Sequence, residues 1–177
     1  TTSWALVLAR GYRRRNKIVL SHGGYHGTQP WAGSNHTGIS PADRADIIMV
    51  PWGDVDTFRQ VVDENKGQIA GAMFTPYHHP VFEQQMLPSP GYWQGMRRVC
   101  DENDIVLIID DVRAGWRLDI KGSAHYFGFK PDLACYCKAI ANGYPISALV
   151  GTDKMLLVSS KAFQTGSYCN NSTEMAA

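Results

Sequence analysis

The sequence of 177 residues lacks a strong charge of either sign: 17 Lys and Arg stand against 16 Asp and Glu, a formal net charge of +1. That balance gives no electrostatic case for nucleic acid as a partner. The one basic run, Arg13-Arg14-Arg15 with Lys17, falls where a helix would end, and arginines there satisfy terminal carbonyls and complement the dipole. No run approaches the roughly 18 apolar residues of a membrane span. No charged segment followed by an apolar one marks a secretory leader either. Cysteine is scarce: Cys100, Cys135, Cys137 and Cys169 form no CxxC pair. The alternation Cys135-Tyr136-Cys137 is poor spacing for a zinc knuckle. The thiols read as small hydrophobes in a reducing compartment, no metal site is expected, and the expected location is the cytosol. Internal repeats and low-complexity segments are also missing.

What is present is globular: 44% hydrophobic and 19% charged residues suit one domain with an ordinary core. The chain opens on Thr1 and closes on the helix-like Glu174-Met175-Ala176-Ala177. Both ends read as cut, so a piece of something larger is expected. Short apolar runs alternate with amphipathic ones. Strands are predicted at residues 17–20, 47–50, 69–74, 105–109, 133–136 and 146–150. Helices are predicted at residues 2–12, 55–64 and 88–103, and from a cap at Asp153 through Val158. Residues from Ser21 to about Asp46 read as irregular. Ile69 to Phe74 is uniformly apolar, which suits a strand covered on both faces. The alternation predicts an α/β three-layer sandwich around a mostly parallel sheet.

In such sheets ligands bind outside the carboxyl ends of the strands. Asp110 stands there, directly after five apolar residues. A carboxylate in that position needs a cation or strong donors. It could meet a protonated ring nitrogen, cap a helix, or pair with Arg113 or Arg117. Lys138 follows the strand at 133–136. Its small and apolar neighbours, then Gly143 and Pro145, would partly desolvate the amine and favour its nucleophilic form. It could equally be a surface lysine.

Four segments together resemble the class III aminotransferases, enzymes of fold type I that depend on pyridoxal 5'-phosphate (PLP). The run Ile108-Ile109-Asp110-Asp111-Val112-Arg113-Ala114-Gly115-Trp116-Arg117 resembles that family's "Asp-Glu-Val-x-Thr-Gly-Phe-Arg" segment with its two leading hydrophobes. Pro131-Asp132-Leu133, then Cys137-Lys138-Ala139-Ile140-Ala141-Asn142-Gly143-Tyr144-Pro145, resembles its lysine segment. Tyr25-His26-Gly27 matches its Tyr-His-Gly loop. Gly166-Ser167-Tyr168-Cys169-Asn170-Asn171 and Met175-Ala176-Ala177 resemble a Gly-Thr-Phe-Ser-Gly-Asn-Pro and Met-Ala-Ala pair. Spanning nearly the whole chain, the resemblance implies the PLP-binding large domain over residues 1–177. A substrate-binding segment before it and a small domain after it would lie outside.

The resemblance implies roles residue by residue. Lys138 is the Schiff-base lysine and proton shuttle. Asp110 keeps the pyridine nitrogen protonated. Tyr25 stacks on the ring, and His26 belongs to the same cofactor loop. Ser167 binds the cofactor phosphate of the partner subunit in a homodimer. By themselves, Tyr25 could be a core aromatic and Ser167 a turn hydroxyl. A phosphate-binding turn is expected just before Thr1, at the N-terminus of the first helix.

The departures bear on substrate. Thr75 replaces an active-site glutamate, Asp111 is one carbon shorter than the usual second acid, Asn142 replaces a glycine, and Ser172 replaces a proline. The insert Tyr77-His78-His79-Pro80 is untypical; adjacent histidines suit a loop better than a metal site. These features are closer to the D-phenylglycine aminotransferase and glutamate-1-semialdehyde aminomutase branch than to the ornithine branch. The function expected is transamination or a related proton shift, with an amino donor and a keto acceptor. The alternatives are a non-catalytic dimerising remnant and a flavodoxin-like binding module without covalent chemistry.

Overall fold

The computed structural model describes residues 1–33, 37–80, 82–166, 169 and 172–176. Strands with two apolar faces need cover on both, and two helical layers supply it. The elements in chain order are α1 (Thr2–Arg13), β1 (Lys17–Ser21), α2 (Pro41–Arg44), β2 (Ile47–Val50), α3 (Val55–Glu64), β3 (Ile69–Phe74) and α4 (Tyr92–Glu102). After these come β4 (Val106–Asp110), α5 (Ser123–Tyr126), β5 (Leu133–Tyr136), β6 (Ala148–Gly151), α6 (Asp153–Ser159) and α7 (Ser172–Ala176). The sheet runs β2-β1-β3-β4-β5-β6. The first five strands are parallel and β6 is antiparallel to β5, with Tyr136 opposite Ala148.

The period-2 alternation of a strand divides the core. Ile18, Leu20, Val106 and Ile108 pack with Ala5, Leu6, Leu8 and Ala9 of α1 and Met155 of α6. Their neighbours Val19, Leu107 and Ile109 pack with Phe58 and Val62 of α3 and with Trp93, Met96 and Val99 of α4. This is the three-layer sandwich expected from the sequence. Burying Trp93, Phe58 and Leu107 almost completely contributes about 1.5–3 kcal/mol for each large apolar side chain.

The differences from expectation have local causes. Helix α4 starts at Tyr92 rather than Pro88 because Gly91, its N-cap, takes φ 83°, which is left-handed and not helical. Strand β4 is shifted by one residue, so Asp110 itself sits in the ladder, opposite Cys135. The strand expected at 146–150 is 148–151, and Thr152 rather than Asp153 is the N-cap of α6. Helices α2 and α5 are four residues each, too short to show a period in sequence. The basic run does not cap α1's own carbonyls. Arg15 donates to the carbonyls of Ile69, Asn103 and Asp104 at 3.0–3.2 Å, and Arg13 pairs with Asp104 at 3.0 Å. These bonds tie the end of α1 to β3 and to the end of α4. No helix among the described residues is long and apolar enough to cross a membrane.

Candidate active site

The strand order reverses between β1 and β3, and parallel sheets bind ligands at the carboxyl ends beside such a switch point. A cavity of about 490 Å³ lies there. Tyr25, His26 and Gly27 reach it from beyond β1, Thr75 and His79 from beyond β3. Asp110, Val112 and Arg113 come from the end of β4, Cys137 and Lys138 from beyond β5. Ser147 precedes β6, and Thr1 and Thr2 bring the N-terminus of α1 to the same space.

Asp110 is held from two sides. His26 Nδ1 lies 2.7 Å from its Oδ2, with both side chains buried (1% and 4% exposed). The backbone N–H of Val112 donates to its Oδ1 at 3.1 Å. The ion-pair alternatives do not occur: Arg113 donates to the His79 carbonyl and Arg117 to the Arg113 carbonyl. No helix begins at Asp110 either. A buried carboxylate with two donors that still lines a cavity is arranged to meet a further donor.

His26 is fixed by its surroundings. Thr2 Oγ1 donates to its carbonyl at 2.8 Å. Its Nε2 is buried without a partner, as is Ser21 Oγ, and both face Gly24. A Cβ at Gly24 would stand 2.8 Å from that Nε2 and 3.2 Å from the Ser21 carbonyl. The loop admits the imidazole only because position 24 has no side chain.

Lys138 lines the cavity from a turn just after β5, with φ 42°. A non-glycine residue in this left-handed region costs on the order of 1–2 kcal/mol, a strain that clusters at functional positions. The expected partial desolvation of its amine is not found in this chain: Lys138 is exposed, and so are Ala139 and Ile140 on the same turn. Tyr25 is 57% exposed and lines the cavity, so it is not a core aromatic. Ser167 lies outside the described residues.

Asp111 faces away from this chemistry. It is buried, and it accepts from Ser123 N–H at 2.9 Å and Ser123 Oγ at 2.6 Å. Burial raises its carboxyl above the usual range against those hydrogen bonds. It pins the loop between β4 and α5. The two adjacent histidines part: His78 stacks on Trp52 with ring centroids 5.4 Å apart, while His79 enters the cavity wall. Among the described residues no group of three His, Cys, Asp or Glu side chains converges as a metal site would. All four cysteines are free, and burial raises the Cys100 and Cys135 thiols well above their ordinary value. Sequence reasoning passed over His79 and Arg113 as cavity residues. The untypical insert and the variable place after Val112 were the only signals.

The family model for aminotransferase class-III matches residues 2–177. The chain belongs to the class III aminotransferases. An aminopentol aminotransferase of Sphingopyxis macrogoltabida is 39% identical over 176 residues, covering 99% of this chain and 42% of that protein. A glutamate-1-semialdehyde 2,1-aminomutase of Methanococcus vannielii is 32% identical over 191 residues, covering 99% and 44%. Among solved structures, the FumI protein of Sphingopyxis sp. MTA144, in its PLP internal aldimine form, superposes with a TM-score of 0.94. It is 38% identical and is covered over 42% of its length, against 99% of this chain. The chain thus spans less than half the length of these class III relatives. A flavodoxin-like sheet shares the order of the first five strands; the antiparallel β6 and the family membership set that alternative aside.

Proposed function

We propose that this chain is the PLP-binding large domain of an aminotransferase, or of the closely related aminomutase type, with Lys138 as the covalent attachment point. The observation that carries the proposal is the convergence on one cavity of Asp110, held by His26 and Val112, with Lys138, Tyr25 and the N-terminus of α1. The residues present fit the cofactor. The first turn of α1 carries no acid, and its free N–H groups and dipole suit a phosphate. Asp110 suits a protonated ring nitrogen, which supplies the donor its carboxylate lacks. Tyr25 has an exposed ring to lay on an aromatic face. Bound there, PLP supplies an aldehyde for the substrate amine and a ring that draws electrons from the carbon being deprotonated.

The chain's own groups do the rest. Asp110 holds the proton at the ring nitrogen. His26 holds Asp110 in place. The Lys138 amine, released when a substrate amine takes its position, accepts the proton from the substrate carbon and returns it at another. The exposure of Lys138 in the isolated chain is consistent with a site completed from elsewhere. We propose a homodimer in which Ser167 of one subunit binds the phosphate held by the other. The aminopentol aminotransferase and the aminomutase named above are relatives whose stated activities suit this reading, and the amino donor and keto acceptor are small molecules. The test is direct. Full-length protein mixed with PLP should develop a yellow absorbance band that a primary amine discharges. A protein that stays colourless is not a PLP enzyme.

A further inference from the structure

Two buried polar atoms behind the cavity lack a partner, and they meet at one glycine. Ser21, the last residue of β1, is 1% exposed, and its Oγ makes no hydrogen bond among the described residues. His26 is 2% exposed, and its Nε2 is equally unpartnered. A Cβ on Gly24 would stand 2.8 Å from that Nε2 and 3.4 Å from Ser21 Oγ, so both atoms border the same bare Cα. Ser21 takes no part in lining the cavity itself. Buried polar groups are rarely left unpaired, and two that share one small space are each other's natural partner.

A count of protons decides how they pair. His26 Nδ1 lies 2.7 Å from Asp110 Oδ2. A carboxylate only accepts, so Nδ1 carries a proton. The other ring nitrogen then either donates or accepts. If Nε2 donated to Ser21 Oγ, the serine proton would still need an acceptor, and Oγ has none. With Nε2 bare, a single O–H···N bond satisfies both groups.

We infer that Ser21 is a positioning residue whose hydroxyl donates to His26 Nε2, directly after a rotation of χ1 or across one bridging water, and keeps the ring's one proton on Nδ1, facing Asp110. The inference rests on the function proposed above and extends its machinery by one residue. A ring with one proton leaves the charge of Asp110 undivided for a protonated pyridine nitrogen, whereas a second ring proton would draw on that charge. The chain of contacts runs from the end of β1 through His26 to the end of β4. Gly24 serves it as the open position, because a Cβ there would crowd both the hydroxyl and the ring.

The experiment uses the full-length protein with ¹⁵N in its histidine rings, its fold verified by thermal melting. The His26 signals are assigned by their loss in His26→Gln and read without added cofactor, then with PLP. Wild type should show a protonated Nδ1 and a bare, hydrogen-bonded Nε2. In Ser21→Ala nothing donates to Nε2, so its resonance should move further from the protonated position. Ser21→Cys, whose thiol is a weak donor, should fall between. The PLP dissociation constant should rise roughly 3- to 10-fold in Ser21→Ala, as loss of one hydrogen bond does, and less in Ser21→Cys. A purely structural role for Ser21 would shift the melting temperature without moving the ring signals. A protonated Nε2 in wild type, or one at the same position in wild type and Ser21→Ala, overturns the inference. So does an unchanged PLP dissociation constant. Any of these in protein that turns yellow with PLP leaves the PLP reading standing. A colourless wild type overturns both.

Discussion

His26 Nδ1 stands 2.7 Å from Asp110 Oδ2, and the two side chains are among the least exposed polar groups of the chain. The pair joins the loop after β1 to the end of β4 across β3. Its geometry depends on a glycine that touches neither the cavity nor Asp110. Gly24→Ala would press a methyl group against His26 Nε2 and the Ser21 carbonyl, and overpacking of this kind costs about 1–3 kcal/mol. The expected result is a folded protein whose PLP dissociation constant rises by about tenfold. An unchanged constant would show that His26 does not position Asp110.

Asp110→Asn keeps the shape of the side chain and removes the charge. The pair with a protonated ring nitrogen should weaken by about 1.5–3 kcal/mol, seen as a single-turnover rate lower by one to two orders of magnitude with any accepted amine. Thermal midpoints of the cofactor-free proteins should differ far less. Equal rates would reduce Asp110 to the cap of a turn.

Asp111 makes a different prediction. Its folded-state carboxyl is raised by burial and held down by the two Ser123 hydrogen bonds. Ser123→Ala removes the hydroxyl donor and so raises that carboxyl further. The variant therefore loses stability wherever Asp111 is ionised in the wild type, and loses less as pH falls and the carboxyl takes up a proton. Urea titrations should give a loss of about 1–3 kcal/mol at neutral pH that shrinks in acid. A loss that grows toward acid would contradict the assignment.

Shared sites are tested by mixing subunits of the full-length protein. Lys138→Ala and Ser167→Ala variants, each inactive or impaired alone, should recover partial activity after exchange. A heterodimer then holds one site with both lesions and one with neither. No recovery after verified exchange would place Ser167 in its own subunit's site or in none.

The strands and long helices were legible because burial imposes a period. Val106 to Ile109 could only be a covered strand, and Val55 to Glu64 shows its face at Phe58 and Val62. Asp110 and Lys138 were legible because each stands at the carboxyl end of a strand, where chain topology and not packing chooses the residue. Three features escaped. The His26–Asp110 pair joins positions 84 residues apart, and nothing local in sequence encodes it. His79 looked like half of an adjacent pair, yet the loop sends His78 to Trp52 and His79 to the cavity. The exposure of Lys138 also escaped, since small apolar neighbours suggest burial while the turn that holds them lies on the surface.

The central claim, that Lys138 is the attachment point, is tested most directly by reducing the PLP-loaded full-length protein with borohydride and mapping the labelled peptide. A single phosphopyridoxyl group on Lys138, absent in Lys138→Ala, is the result expected. A label on Lys154 or Lys161, or one that survives in Lys138→Ala, would contradict the account.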